Sequence, residues 1–191
     1  MIVLVNKKRF TGCISVILIL IILVIGLLNW SSFKKAVYPL KYSDYVEKYA
    51  ENYKIDKYLV YSIIKAESEF KFNARSEKGA VGLMQIMPST GKEIAQKLGI
   101  ENFSEEVLLN PEININIGCY YLSYLLNKYD GNIKTAVAAY NAGYGNVDNW
   151  LAVEQIDFLS GQEIPFGETK KYLLKVEKNL DNYFNIYEGE K

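Results

Sequence analysis

From Phe10 to Phe33 the chain carries no charged residue, and Cys13 to Leu28 reads CISVILILIILVIGLL, apolar apart from Ser15. A helix over such a run has no polar face to turn to water, which argues against a buried core helix and for a membrane segment. Extended from Thr11 to Trp30 it would reach about 30 Å at about 1.5 Å per residue, enough for a hydrocarbon core. Lys7, Lys8 and Arg9 precede it and Trp30 closes it. The basic side is expected to stay cytoplasmic, sending everything after residue 30 across the membrane. A cleaved signal peptide would export the same residues, but Asn29 and Ser31 stand where small residues would guide cleavage, so a retained single-pass anchor is favoured. Cys13 precedes the apolar core, whereas a lipidated Cys would follow it. The expected organisation is a cytoplasmic basic N-terminus at 1–10, a signal-anchor at 11–30, a linker at 31–42 and one folded domain at 43–191.

The 191 residues include no His, which excludes the usual Ser-His-Asp and Cys-His hydrolases and His-ligated zinc enzymes. The chemistry must use carboxylates, Tyr, Lys, Ser or backbone groups. Cys13 and Cys119 offer neither a thiolate metal site nor a disulfide framework, and both read as small apolar residues. Residues 1–35 hold five basic residues and no acid, leaving 17 basic against 22 acidic residues, a net of −5, in the remainder. An acidic domain without a basic stripe gains no counterion-release energy, so nucleic acid is not an expected partner.

Beyond the linker, where Pro39 discourages a continuous helix, the pattern is helical. Tyr45, Tyr49 and Tyr53 share a face after Ser43, whose Ser-x-x-x-Glu is a near-miss of a capping box. Asp56 suits an N-cap for a stretch carrying Leu59, Val60, Ile63, Ile64 and Ala66. Further helices are expected at 89–98, stopped by Gly99; 112–129, stopped by Asp130 and Gly131; 133–141, ending at Ala142 and Gly143; and 169–187. Strand signals are poor, so the fold class is mainly α. Residues 70–88 and 151–168 are the expected long irregular segments.

One carboxylate interrupts this pattern. The apolar stripe Val60, Ile63, Ile64 continues at position 67, which is Glu. A carboxyl on a core-facing stripe loses hydration and is held protonated near neutral pH, as a general acid requires. The plainer alternative is a Glu67 that ends its helix and pairs with Lys71 at i+4. Glu69 points elsewhere, about 200° around the helix.

Three blocks follow one another from there: Glu67-Ser68; GLMQIMPST from Gly82; and AAYNAG from Ala138. In order and spacing they resemble the catalytic domain of the soluble lytic transglycosylase family over about residues 43–187. The resemblance implies a lysozyme-like fold and cleavage of the β-1,4 bond between N-acetylmuramic acid and N-acetylglucosamine in peptidoglycan, leaving a 1,6-anhydromuramic end. It implies Glu67 as the acid and then the base. It implies Ser76, Gln85 and Met87 as cleft residues, and Tyr140 and Asn141 as the pair flanking the Glu. Ile164 to Tyr172 is similar to the family's P-x-x-E-T-x-x-Y segment, which adds Glu168 and Tyr172 on the substrate side.

No metal and no cofactor are implied. The expected partners are peptidoglycan strands, the membrane through the N-terminal helix, and, as a further option, proteins of an envelope complex. The expected location is the cell membrane with the domain facing the wall. Two alternatives stand beside this reading: a hydrolytic muramidase similar to goose-type lysozyme, and a non-catalytic peptidoglycan-binding module.

Overall fold

The structure is a computed structural model, which describes residues 24–25, 29–152 and 167–189. The chain divides into two compact units, Met1–Pro39 and Leu40–Lys191. Cys13 and nearly all of the expected 11–30 span lie outside the described residues; among those described, no helix is long and apolar enough to cross a membrane.

In the first unit, α1 (Trp30–Val37) runs over part of the expected 31–42 linker and stops before Pro39. Nothing from Ser31 to Val37 opposes a helix, and Pro39 acts on the residue before it, so the helix ends at Val37 with Tyr38 as its cap. Trp30 stacks on Phe33 at 5.9 Å.

The second unit opens with α2 (Ser43–Tyr53) and α3 (Lys57–Ser68). The near-miss capping box does not form: Tyr42 holds the N-cap position in the left-handed region at φ 61°, and Ser43 is already helical. Its spacing to Glu47 is one residue too long for the reciprocal bonds. Asp56 caps α3 as expected, accepting from the Tyr58 and Leu59 N–H groups at 2.7 and 3.2 Å. There follow α4 (Pro88–Lys97), a 3-10 turn (Glu105–Leu109), α5 (Pro111–Lys128) and α6 (Ile133–Ala142). Pro88 and Pro111 take first-turn positions where the missing N–H costs nothing. Asn110 and Asn132 cap the next two helices. Gly143, at φ 85°, ends α6, and α7 (Tyr144–Ala152) starts immediately after it. That helix was not expected; it takes the first two residues of the 151–168 segment, and 153–166 lie outside the described residues. The chain closes with α8 (Gly167–Tyr187).

The core is helix on helix. α3 packs most extensively on α8, α5 on α2 and α6, and α6 on α8. Val60, Ile63 and Ile64 are fully buried on α3, opposite a helix whose stripe is Tyr172, Leu173, Val176 and Tyr183. Each such aliphatic side chain contributes about 1.5–3 kcal/mol. Tyr58, Tyr61, Tyr183 and Tyr187 stack between these helices at 5.5–6.3 Å, so part of the tyrosine content belongs to the core. Asn179 ties the pair by donating to the Ser62 carbonyl at 3.2 Å.

Between α3 and α4 the chain forms the loop that the site depends on. Two isolated antiparallel bridges, Arg75 with Val81 and Val81 with Ile86, fold it onto itself. Buried Asn114 of α5 fastens it: its Oδ1 accepts from the Met84 N–H at 2.8 Å, and its Nδ2 donates to the Val81 and Leu108 carbonyls at 2.9 and 2.8 Å. Gly82 sits here at φ 83°, and a Cβ would overlap the Asn114 amide and the Leu108 carbonyl. One turn along α5, Gly118 leaves room for the Met84 thioether.

Candidate active site

Glu67 stands in the last turn of α3, on the stripe that Val60, Ile63 and Ile64 begin. The bland alternative fails: among the described residues Glu67 has no ion pair with Lys71, and the i+4 pair at this helix end is Lys65 with Glu69, at 3.1 Å. Glu69 is exposed, at φ 50° in the left-handed C-cap position, where the chain turns away from the helix.

Loss of hydration raises the Glu67 carboxyl to about 7, against a partial downward pull from the Tyr172 hydroxyl and the Lys175 charge. Lys175 donates to the Ala66 carbonyl at 2.7 Å, so its position beside Glu67 is fixed by an unsatisfied carbonyl at the helix end. The Tyr172 hydroxyl is buried and, among the described residues, completes no hydrogen bond. It lies near enough to Glu67 for the two to interact, but short of full hydrogen-bond geometry. Tyr140 approaches from α6; its hydroxyl donates to the Met84 carbonyl at 2.9 Å. Both phenols are pushed well above their ordinary range by burial first and then by the Glu67 charge, so both stay neutral donors.

Gln85, Met87, Tyr140 and Asn141 line one depression, together with Thr90 and Tyr121. Gln85 is at φ 47°, and its amide nitrogen is held by the Gly82 and Ala74 carbonyls at 2.8 and 3.2 Å. Asn141 accepts from the Thr169 hydroxyl at 2.9 Å. Tyr172, Ser76 and Glu168 do not line this depression. Ser76 is on an exposed turn, where its hydroxyl accepts from the Ala80 N–H at 2.9 Å. Glu168 is exposed in the first turn of α8 and pairs with Lys78 at 3.1 Å, joining the start of that helix to the loop.

The sequence reading gave no individual role to several side chains that hold these groups, although Ser68 and Thr169 lie within its blocks. Asn114 shapes the loop that carries Gln85, and Ser68, with its Oγ 2.8 Å from the Leu83 carbonyl, ties the same loop to the turn bearing Glu67. Thr169 orients Asn141. For Asn114 the signal was present: it is a polar residue on the stripe it shares with Gly118 and Leu122, the same anomaly that marks Glu67. No periodicity could have marked Lys175 or Thr169, because their partners are distant in sequence.

Comparison with known proteins matches residues 44–157 to the family described as Transglycosylase SLT domain. The soluble lytic murein transglycosylase of Escherichia coli K12 is 37% identical over 158 residues, covering 81% of this chain. The membrane-bound lytic murein transglycosylase C of Edwardsiella ictaluri is 34% identical over 169 residues, covering 76% of this chain. The chain spans only 24% and 47%, respectively, of the length of those two proteins. The crystal structure of an inactive mutant of the lytic transglycosylase Slt from Pseudomonas aeruginosa superimposes with a TM-score of 0.73 at 32% identity, covering 82% of this chain and 26% of that one. The mainly helical fold is thus the lysozyme-like fold of lytic transglycosylase structures.

Proposed function

This chain belongs to the transglycosylase SLT family, and from that premise we propose that it cleaves the N-acetylmuramic–N-acetylglucosamine bond of peptidoglycan without consuming water. The observation that carries this reading is Glu67: a desolvated carboxyl raised to about 7, close enough to the neutral phenols of Tyr140 and Tyr172 for its charge to act on both, with no second carboxylate among the groups that shift it. Ordinary glycosidases divide acid and base or nucleophile between two carboxyl groups. Here Glu67 serves twice. It gives its proton to the glycosidic oxygen as the bond to C1 breaks, while the substrate's own N-acetyl oxygen supports the developing cation. The carboxylate left behind then takes the proton of the C6 hydroxyl as that oxygen bonds to C1. The acid is regenerated and the product closes into a 1,6-anhydro ring.

Tyr172 and Tyr140 would hold the two states of Glu67. Asn141, fixed by Thr169, and Gln85 would orient the sugar and its acetamido group; Met87 would supply apolar contact. Ser76 and Glu168 belong in this account at the margin of the cleft, where their side chains are exposed. Release of soluble fragments from purified peptidoglycan, with and without the Glu67 carboxyl, tests the reading.

A pH profile follows from the same group. The first step needs protonated Glu67, so the cleavage rate should fall as pH rises through about 7. Stability shares the sign. Glu67 is raised from an ordinary 4.5 to about 7 in the folded state, so its contribution is complete below 4.5 and is lost as pH rises through about 7. Glu67→Gln is therefore expected to melt higher than the parent chain at about pH 8 and to lose that advantage at about pH 4. Thermal melts at the two pH values check it, and an equal difference at both would contradict the buried acid.

We further propose that residues 11–30 anchor the chain in the cell membrane, with residues 43–191 as the catalytic domain facing the wall. The apolar run supports this, together with Lys7, Lys8 and Arg9 before it. Proteins of an envelope complex remain candidate partners. Membrane fractionation combined with N-terminal sequencing of the mature protein separates a retained anchor from a cleaved leader.

A further inference from the structure

The last turn of a helix is a poor place for a carboxylate, and Glu67 stands in it. The unpaired carbonyls at the end of α3 form the negative end of the helix dipole, so the anion that Glu67 must become is opposed by its own helix as well as by burial. One side chain meets this helix end from another element. Lys175 of α8 donates to the carbonyl of Ala66, the residue before Glu67, at 2.7 Å. It stands three residues after Tyr172, so a single turn of α8 brings both groups to Glu67. Lys65, Lys78 and Lys134 each pair with an acid: Glu69 at 3.1 Å, Glu168 at 3.1 Å and Glu177 at 3.2 Å. Lys175 forms no such ion pair among the described residues, and its charge acts on Glu67. No other cation is among the groups that shift Glu67: Tyr140 from α6 and Tyr172 are neutral phenols, and Lys65 and Glu69 on the same helix match each other.

We propose that Lys175 is a positioning residue for the reaction, which ties the last turn of α3 to α8 and holds an ammonium beside the carboxylate that Glu67 becomes once its proton is given. The inference rests on the reading of Glu67 as acid and then base, and adds to it what steadies the state between the two steps. When the Glu67 proton passes to the glycosidic oxygen, the new negative charge finds the Lys175 cation already in place, and the ammonium keeps its own protons throughout. When the C6 hydroxyl returns a proton to Glu67, the carboxyl is neutral again and Lys175 is unchanged. Lys175 touches neither the sugar nor the reacting atoms; it acts through Glu67 alone. Its bond to Ala66 offsets the helix end, and its charge offsets part of the loss of hydration, so a buried acid can still release its proton near neutral pH. An opposite charge nearby favours the ionised form, so removal of Lys175 should make Glu67 a weaker acid that holds its proton to higher pH.

The test is the pH dependence of fragment release from purified peptidoglycan by the full-length chain carrying Lys175→Met, Lys175→Gln or Lys175→Arg. Met keeps the apolar stem and loses both charge and donor; Gln keeps a donor for the Ala66 carbonyl without the charge; Arg keeps both. The alkaline fall of the parent near pH 7 should move up by about one unit in the Met and Gln variants and stay in place in the Arg variant. At about pH 5 the Met and Gln variants should release fragments about three- to tenfold more slowly than the parent, as a weaker acid requires. Added to Glu67→Gln, which removes the chemistry, Lys175→Met should leave sedimentation with insoluble peptidoglycan unchanged. A fall that stays within about 0.3 unit of the parent in both neutral variants, or that moves as far in the Arg variant, would overturn the role of the charge. Weakened sedimentation would overturn it too, by placing Lys175 on the substrate. Thermal melts show whether each variant folds, and Lys175→Gln decides alone if Lys175→Met does not. An unmoved fall rejects Lys175 only, whereas a parent chain without an alkaline fall rejects the reading of Glu67 and this inference with it.

Discussion

Replacing Glu67 by Gln is expected to reduce the release of muropeptides from purified peptidoglycan by at least about 10³-fold while leaving the helical fold intact. The amide has nearly the shape of the carboxyl, and its neighbours tolerate it: Tyr140 is already bonded to the Met84 carbonyl, and the Tyr172 hydroxyl completes no bond that the change would break. What disappears is the proton. Neither phenol can replace it, since burial, the largest cause of their upward shift, remains once the Glu67 charge is gone. Glu69 cannot replace it either, being exposed, paired with Lys65 and turned away at the helix end. Circular dichroism alongside the release assay checks the expectation, and substantial residual cleavage by a well-folded variant would assign the acid to another group.

The second large effect concerns stability. Asn114→Ala should destabilise the second unit by about 3–5 kcal/mol, because one truncation opens a cavity, takes the Asn114 bonds from the Met84 N–H and the Leu108 carbonyl in a dry interior, and leaves the Val81 carbonyl with the Ile86 N–H alone. For a domain of this size the melting temperature should drop by about 10–15 °C. Activity should fall beyond what the population of folded protein explains, since the loop that carries Gln85 and supplies the Met84 carbonyl to Tyr140 loses its fastening. Asn114→Asp keeps one acceptor for the Met84 N–H but offers no donor to the carbonyls, so it should not restore stability. A melting temperature within about 3 °C of the parent for Asn114→Ala would show that the loop is held by its own bridges instead.

How much of this was legible in the sequence depended on the range of the signal. Helices announced by a local stop or cap were readable within a residue or so: Asp56, Pro88, Asn110 with Pro111, and Gly143 all act on their immediate neighbours. Ser43 has one residue too many before Glu47 for a capping box and is already helical, and within residues 31–42 a helix forms up to Val37 because the Pro at 39 restrains only the residue before it. Tyr144–Ala152 was missed because Gly143 and Gly145 look like a loop, although only Gly143 takes a positive φ there. Glu67 was legible as a fault in an apolar stripe, and the resemblance turned that fault into a proposed acid. Of its surroundings, Tyr140, Asn141 and Tyr172 came through the resemblance alone, and nothing local marked Lys175. Tyr172, Lys175 and Thr169 stand on a helix about a hundred residues further along, and the packing of α3, α6 and α8 brings these elements together.

The most direct test of single-carboxylate chemistry is the mass of what the full-length chain releases from purified peptidoglycan, measured beside Glu67→Gln. Products about 18 Da lighter than their hydrolytic counterparts, resistant to borohydride reduction and absent from the Glu67→Gln digest, are the predicted result, because C6 oxygen rather than water closes on C1. Glu67-dependent products with free, reducible ends would contradict it and make this chain a muramidase that admits water to the same site.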